Sequence, residues 1–383
     1  MSKKELQLYI HIPFCIRKCA YCDFLSFPAP EEVRKEYVRV LISQIRQSPE
    51  KGRPVTTVFL GGGTPSVLES AELAGIMEAV RESFCLKPGA EITMEANPGT
   101  LDREKLKAYR RAGVNRLSIG LQSTEDRELK LLGRIHSFDQ FLENYESARQ
   151  AGFDNLNIDL MSALPGQTRE SWRKTLRQVL ELEPEHISAY SLIVEEGTPF
   201  YEKYREEVNR REQGGKCTLL PSEEEERQMY EDTERILGKA GYGRYEISNY
   251  ARPGYECRHN IGYWRRADYL GLGLGASSLI GRERFQVTGD IKAYLKGDFT
   301  KKERILLSKQ EEMEEFMFLG LRLREGILRD AFEEEFGVSY QQIYGKVTGE
   351  LEEEGLLEVE ENEIRLTRRG IDVSNYVLAQ FLL

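Results

Sequence analysis

Along the first half of the chain, short apolar stretches alternate with segments whose apolar residues recur every three or four positions. Residues 6–12 form the first stretch, and 55–60, 91–95, 114–119, 155–161 and 186–192 follow, each predicting a β-strand. Between the first two, Val33, Tyr37, Leu41 and Ile45 recur at helical spacing after Pro30. Leu73, Ile76, Met77, Val80 and Phe84 do the same after the second strand. Ser137 and Gln140 make a capping box that opens a later helix, and Gly152 is placed to close it. Ala112-Gly113, Ala151-Gly152 and Ala240-Gly241 mark three similar helix-to-strand joints, where glycine tolerates positive φ. Repeated βα units imply a parallel sheet, either open and doubly wound or part of a (β/α) barrel. Six strands are too few for a closed eight-stranded barrel. The expectation is an α/β fold with a partial barrel over residues 1–215.

From about Tyr201 the pattern breaks. Residues 206–227 are charge-dense, with a run from Glu223 to Glu226 that reads as a solvated helix face or loop. Residues 216–304 read as a barrel extension or connecting region. Beyond 305, helices are expected near 311–324, 328–336 and 340–354, then strands at 356–360 and 363–367. That order suggests a smaller α+β, winged-helix-like domain over 305–383. Its third helix and hairpin carry Glu350, Glu352, Glu353, Glu354, Glu358, Glu360, Glu361 and Glu363. Phosphate contacts need Lys and Arg, so nucleic acid is not expected as a partner.

Composition narrows the class. The 383 residues are 40% apolar and 31% charged, and 54 basic against 64 acidic side chains leave a net charge of −10. The longest uncharged run, residues 54–68, has three glycines and two prolines and is shorter than the roughly 20 residues of a membrane-spanning helix. Residues 1–14 hold no apolar segment long enough for a signal peptide, so a cytoplasmic protein is expected. Six cysteines are too few for a secreted disulfide scaffold, and three of them crowd into residues 15–22. Metal chemistry in a reducing compartment is the reading.

Cys15, Cys19 and Cys22 form a C-x3-C-x2-C loop directly after the first strand. Three thiolates on one loop can hold three corners of a cubane iron–sulfur cluster and leave the fourth iron open. Structural zinc wants four protein ligands, and no fourth Cys or His stands at zinc spacing. Phe24 follows two residues after Cys22, and His11, on the strand before, is expected to point elsewhere. Cys85, beside Phe84 on an apolar helix face, is expected in the core. Cys217 reads as incidental.

With Tyr21 before its last cysteine, the loop resembles the signature of the radical S-adenosylmethionine (SAM) proteins, whose core is a partial (β/α)6 barrel. The segment YIHIPFCIRKCAYCDF further resembles the oxygen-independent coproporphyrinogen III oxidases and their relatives, the radical SAM haem chaperones called HemW. The resemblance implies a 4Fe–4S cluster on Cys15, Cys19 and Cys22. Its open iron would take the methionine amino and carboxylate groups of SAM, and its electron would cleave the sulfonium to a 5′-deoxyadenosyl radical.

Functional residues of such barrels gather at the C-terminal strand ends. There the chain has Gly61, Gly62, Gly63 and Thr64 before Pro65, glycines that let backbone approach a ligand and that tight turns also use. Glu95 ends the third strand, Gln122 follows the fourth, Asp159 lies in the fifth, and Arg134 comes just after the helix beyond Gln122. Each alone has a structural reading. The resemblance places Tyr9, Tyr21, Gly62, Gly63, Thr64, Glu95, Gln122, Arg134 and Asp159 at SAM contacts. Gln122, Arg134 and Asp159 match the set that holds a second SAM in the decarboxylases.

The segment from Cys257 to Trp264 contains an H-N-x-x-Y-W motif. A lone histidine is more often a satisfied hydrogen-bonding residue than a ligand. Here one of only four histidines stands with two aromatics, and imidazole ligates haem iron while flat rings suit a porphyrin face. The motif resembles the chaperones' haem-binding signature, as does YEISNYA at 245–251, which implies haem at His259, Asn260, Tyr263 and Trp264.

Three functions compete: a haem chaperone, a coproporphyrinogen III decarboxylase, and a winged-helix regulator with a cluster sensor. Phe24 stands where the decarboxylases carry a cysteine, and eight residues before Tyr9 contrast with their longer N-terminal extension. The glutamates of the last domain disfavour the regulator. The reading is a haem chaperone that passes haem to acceptor proteins, with no catalytic residue assigned and no coproporphyrinogen oxidase activity expected. Haem and a haem-acceptor protein, a membrane respiratory enzyme among the candidates, are its expected partners. Monomer and homodimer both stay open.

Overall fold

The computed structural model describes residues 4–383; residues 1–3, at the start of the segment read for a leader, lie outside them. Six parallel strands run in chain order: β1 (Leu6–Ile12), β2 (Pro54–Gly62), β3 (Cys85–Ala96), β4 (Arg116–Gln122), β5 (Leu156–Ser162) and β6 (His186–Ser191). They alternate with α1 (Glu31–Gln47), α2 (Ser70–Ser83), α3 (Arg103–Arg111), α4 (Asp126–Leu132), α5 (Phe138–Gln150) and α6 (Arg169–Leu180). Ser137 and Gln140 form the capping box of α5, and Gly152 takes φ +88° just past its end. The fold is α/β, a partial barrel followed by a smaller C-terminal domain.

The sheet goes further than six strands. After α7 (Pro199–Glu212) and α8 (Glu223–Lys239) come β7 (Gly243–Arg244), β8 (Asn249–Ala251), α9 (Arg258–Trp264), β9 (Tyr269–Leu272), β10 (Ser277–Ile280), β11 (Glu283–Gln286), α10 (Ile291–Leu295) and β12 (Lys302–Leu306). The strand order is β12-β11-β10-β9-β1-β2-β3-β4-β5-β6-β8-β7. β9 lies parallel to β1, with Gly271 opposite Tyr9, so a seventh parallel strand joins the six. Its sequence, Tyr-Leu-Gly-Leu, is too short and too interrupted to signal a strand by itself. The glutamate run opens α8, where negative charge favours the positive end of the helix dipole.

Two expectations are corrected. Cys85 is exposed rather than in the core, because α2 ends at Ser83 and the chain enters β3: in extended backbone Phe84 turns inward and Cys85 outward. β3 also begins six residues before the predicted start.

The second domain contains α11 (Lys309–Gly320), β13 (Ile327–Leu328), α12 (Arg329–Phe336), α13 (Tyr340–Glu353), β14 (Leu357–Val359), β15 (Glu363–Leu366), α14 (Arg368–Asp372) and α15 (Ser374–Ala379). Its antiparallel sheet has the order β13-β15-β14, over a core that includes Met317, Phe332, Tyr344 and Phe381. Buried Arg266 ties it to the barrel through Glu312, Glu315 and Glu335.

β1 reads Leu-Gln-Leu-Tyr-Ile-His-Ile, and strict alternation sends the aliphatic residues to one face and Gln7, Tyr9 and His11 to the other. The aliphatic face packs in the main core with residues of α1 and α2. The opposite face lines the barrel interior and is polar. Gln7, Thr57 and Glu91 stand in register across β1, β2 and β3, all buried. Against that row packs α9. Gln7 Nε2 donates to the Arg258 carbonyl, Thr57 bonds His259, and Glu91 accepts the N–H groups of Arg258 (3.0 Å) and His259 (3.1 Å). A Cβ on Gly262 would lie 1.9 Å from Gln7 Nε2, so a larger residue here would push the Gln7 amide off the Arg258 carbonyl.

Glu91→Ala would leave two N–H groups at the start of α9 without their carboxylate acceptor, that of His259 buried. It should lower stability by about 3 kcal/mol, measured as a reduced urea midpoint. An unchanged midpoint would mean that other contacts hold α9 in place.

Candidate functional site

At the C-terminal ends of the strands, Cys15, Cys19 and Cys22 line one cavity of about 140 Å³. The loop after β1 is pinned to the turn after β2, because Gly63 N–H donates to the Ile12 carbonyl and Thr64 N–H to the Phe14 carbonyl, at 2.9 and 2.7 Å. A Cβ on Gly63 would stand 2.7 Å from the Phe14 oxygen, so only glycine allows this approach. Gly62 takes φ +109°, and a Cβ there would meet His11 at 2.3 Å.

Each thiol has a polar side chain beside it. Thr64 Oγ1 donates to Cys15 Sγ at 3.5 Å, Arg134 Nη1 to Cys19 Sγ at 3.7 Å, and Ser26 Oγ lies 3.9 Å from Cys22 Sγ. Burial pushes the Cys22 thiol up, opposed by hydrogen bonds from Phe24 and Ser26. Among the described residues no three His, Cys, Asp or Glu side chains converge as tightly as a single metal ion needs. A cubane spreads its irons and takes three thiolates set further apart, which suits this loop. The residues present fit such a cluster.

Eight of the nine residues expected to contact SAM line the same cavity: Tyr21, Gly62, Gly63, Thr64, Glu95, Gln122, Arg134 and Asp159. Tyr9 does not; it lies in an adjoining cavity, with its hydroxyl 3.1 Å from His11 Nδ1. His11 Nε2 is 2.9 Å from the Leu25 carbonyl, so this imidazole is engaged away from the cysteines. Gln122 is a non-glycine residue at φ +73°, at a register shift in β4, and its Oε1 accepts from the Tyr190 hydroxyl at 3.0 Å. Such backbone strain concentrates at ligand sites. Arg134 also donates to Asn97 Oδ1 and the Gly120 carbonyl, while its buried Nε has no partner among the described residues.

Glu95 accepts the Gly62 N–H at 3.1 Å. Burial, then the charge of Asp159, raises its carboxyl to about 7. Burial also raises Asp159, which accepts from Ser118 (3.0 Å) and Asn157 (2.7 Å). Asn97, Ser118, Gly120 and Tyr190 also line the cavity and were not expected. Asn97 lies two residues after Glu95. Ser118 and Gly120 share the polar side of β4, a period-2 signal that was readable.

The H-N-x-x-Y-W residues do not converge on one pocket. His259 is 1% exposed inside the barrel, with Nδ1 2.7 Å from Thr57 Oγ1, Nε2 3.0 Å from the Tyr263 hydroxyl, and its ring stacked on Phe59. Burial, assisted by Arg116, lowers it to about 3, so this imidazole is neutral. Tyr263 borders the adjoining cavity of about 400 Å³, which shares Phe24, Gly62 and Glu95 with the cysteine cavity. Trp264 borders a different cavity, of about 540 Å³, against the C-terminal domain. Asn260 lines neither.

The Radical SAM superfamily model matches residues 9–179, and the HemN C-terminal domain model matches 307–373. The chain is 39% identical to the heme chaperone HemW of Lactococcus lactis subsp. lactis, over 100% of this chain and 99% of that protein. It is 38% identical to the heme chaperone HemW of Bacillus subtilis, over 98% of each. The chain belongs to the HemW family. Its fold also matches the solved coproporphyrinogen III oxidase (HemN) from Escherichia coli, described as a radical SAM enzyme, with a TM-score of 0.84 at 25% identity over 100% of this chain and 90% of that one. No helix among the described residues is long and apolar enough to cross a membrane.

A carboxyl raised from 4.5 to about 7 keeps its proton in the folded protein after the unfolded chain has released it. Folded stability should therefore fall as pH rises from 4.5 to 7, by about 3 kcal/mol. Glu95→Gln removes this titration. Urea denaturation across that range should show a flatter profile for the variant, and parallel profiles would remove Glu95 as the cause.

Proposed function

We propose that this protein is a haem chaperone: it binds haem and passes it to an acceptor protein, and it carries a 4Fe–4S cluster and SAM at the barrel mouth. The observation that carries this reading is the pair of cavities sharing one wall at Phe24, Gly62 and Glu95. One has three thiols and a ring of polar groups; the other is larger and bordered by Tyr9, Phe24, Tyr263 and Tyr269, rings suited to a flat macrocycle. The full-length likeness to the heme chaperones supports the same function.

Cys15, Cys19 and Cys22 hold the cluster in this reading. Tyr21, Gly62, Gly63, Thr64, Glu95, Gln122, Arg134 and Asp159 hold SAM, with Tyr9 in the adjoining cavity that Glu95 also borders. When bound, cluster and SAM supply one-electron chemistry; the chain's share is to orient and to exclude water. Thr64 and Arg134 direct donors at the sulfurs of Cys15 and Cys19, Ser26 Oγ lies near Cys22, and Gly62 and Gly63 open room for backbone contact. Haem is held through the H-N-x-x-Y-W segment. The domain division at 215 and 304, a cytoplasmic location and an acceptor among membrane respiratory enzymes belong to the same proposal.

A coproporphyrinogen III decarboxylase is the second reading, favoured by the fold match to HemN. Against it stands Phe24, 64% exposed on the wall between the cavities, where the resembling decarboxylases carry a cysteine.

Iron and sulfide analysis of Cys19→Ser after anaerobic reconstitution should show loss of the cluster, and a full cluster would refute the ligand set. Calorimetry should show SAM binding weakened roughly tenfold or more in Glu95→Ala, about 1.4 kcal/mol, with the cluster retained; unchanged affinity would remove Glu95 from the site. Wild-type protein should bind haem and yield no protoporphyrinogen IX from coproporphyrinogen III with SAM and a reductant. Robust decarboxylation would establish the enzyme instead.

A further inference from the structure

We infer that the haem iron is ligated by the Tyr263 phenol oxygen in the cavity of about 400 Å³, and that His259 positions this phenol rather than binding iron itself. The inference rests on the haem-binding reading above and names its ligand.

The histidines decide the first half. All four, His11, His136, His186 and His259, are buried. His259 uses both ring nitrogens, stacks on Phe59 with centroids 5.0 Å apart, and has its backbone N–H on Glu91. Turning the ring toward a porphyrin would break both of its hydrogen bonds and the stack on Phe59. Tyr263 needs no such rearrangement. It follows His259 by one helical turn, is only half-buried, and already borders the cavity, its ring edge-on to Tyr269 at 4.8 Å. A phenolate is a known ligand type for haem iron.

Two other phenols border this cavity, and hydrogen bonding separates them from Tyr263. The partner of Tyr9 is His11, whose Nε2 must donate to the Leu25 carbonyl, since a carbonyl only accepts. Its Nδ1 is therefore a fixed acceptor and cannot support a phenolate at Tyr9. Tyr269 has no imidazole bonded to it among the described residues. His259 differs because both its partners are hydroxyls, Thr57 and Tyr263, and a hydroxyl can donate or accept. Without haem, Nδ1–H donates to Thr57 and Nε2 accepts from the phenol. On binding ferric haem the phenol O–H bond breaks, an iron–oxygen bond forms, and one proton leaves to solvent through the mouth. The neutral imidazole then carries its single proton on Nε2, donating to the phenolate, while the Thr57 hydroxyl turns to donate to Nδ1. No buried imidazolium forms in either state.

The cavity beside Trp264 offers space and apolar walls, including Phe316, Ile327 and Leu328. None of the described residues lining it carries an imidazole, thiol, thioether or phenol. It supplies no strong iron ligand.

Ferric haem titrated into the full chain, with absorption and resonance Raman spectra, tests this. Wild type should show a phenolate-to-iron charge-transfer band. Tyr263→Phe should lose that band and bind at least tenfold more weakly. Thr57→Val, which keeps the shape but removes the hydroxyl that switches, should keep the band at a shifted position. Leu328→Arg, in the other cavity, should match wild type. An unchanged band and affinity in Tyr263→Phe, an imidazole-type spectrum in wild type, or lost binding in Leu328→Arg would each overturn the assignment. Wild type that binds no haem would instead overturn the chaperone reading on which the assignment rests.

Discussion

The constraint on which this structure depends is a polar barrel interior. Strands of a parallel sheet covered by helices usually bury apolar residues on both faces. Here the outer face does so, but the inner face of β1, β2 and β3 presents Gln7, Thr57 and Glu91 at one level and His11 and Glu95 nearer the mouth. Buried polar groups must be hydrogen-bonded or they cost stability. At the lower level the partner is α9, whose free N–H groups meet Glu91 and whose His259 meets Thr57. At the mouth, Glu95 has Gly62 N–H but still carries a raised carboxyl, and Arg134 keeps an unpaired donor. Most of the base row is bonded to α9, although Gln7 Oε1 and Thr93 Oγ1 have no partner among the described residues, and the raised carboxyl lies at the opening.

That arrangement explains how one helix serves both fold and function. α9 is short, and on its own it would be marginal. It exists because the row beneath it requires donors and acceptors, and because Gly262 lets it approach Gln7 closely. Its residues then divide by helical geometry. His259 and Tyr263, four apart, share the side facing the barrel; Trp264, one residue on, turns toward the C-terminal domain. Arg322 lies over the Trp264 ring at 4.5 Å, and Arg266 binds three glutamates of or beside the second domain's helices. A single segment thereby links the mouth of the barrel to the C-terminal domain.

The mouth depends on close backbone approach. The cysteine loop takes its place because the turn after β2 donates two hydrogen bonds to the Ile12 and Phe14 carbonyls, which Gly63 permits. The thiols then meet polar groups from three separate segments: the Ser26 hydroxyl on the loop itself, Thr64 after β2, and Arg134 after α4. Arg134 reaches back through Asn97 and the Gly120 carbonyl, so the ends of β3 and β4 are clamped to the same point.

Local pattern was enough for the six βα units, the capping box at Ser137 and the cysteine loop, because each is written within a few consecutive residues, whereas the nine SAM-contact residues came from the resemblance. Eight of those nine line one cavity: parallel strands bring Gly62, Glu95, Gln122 and Asp159 together, and the cysteine loop and the segment after α4 add Tyr21 and Arg134. Only tertiary structure decided the rest. β9 is a strand because β1 has a free edge beside it, not because Tyr-Leu-Gly-Leu prefers to be one. Cys85 is exposed because a helix ended one residue earlier than its apolar period suggested. The adjacency of His259 to Thr57, 202 positions away, and of Cys257 to Glu91, 166 away, has no local signal at all. A motif names its residues in order along the chain, but which cavity each one enters is set by packing between segments that are remote in sequence.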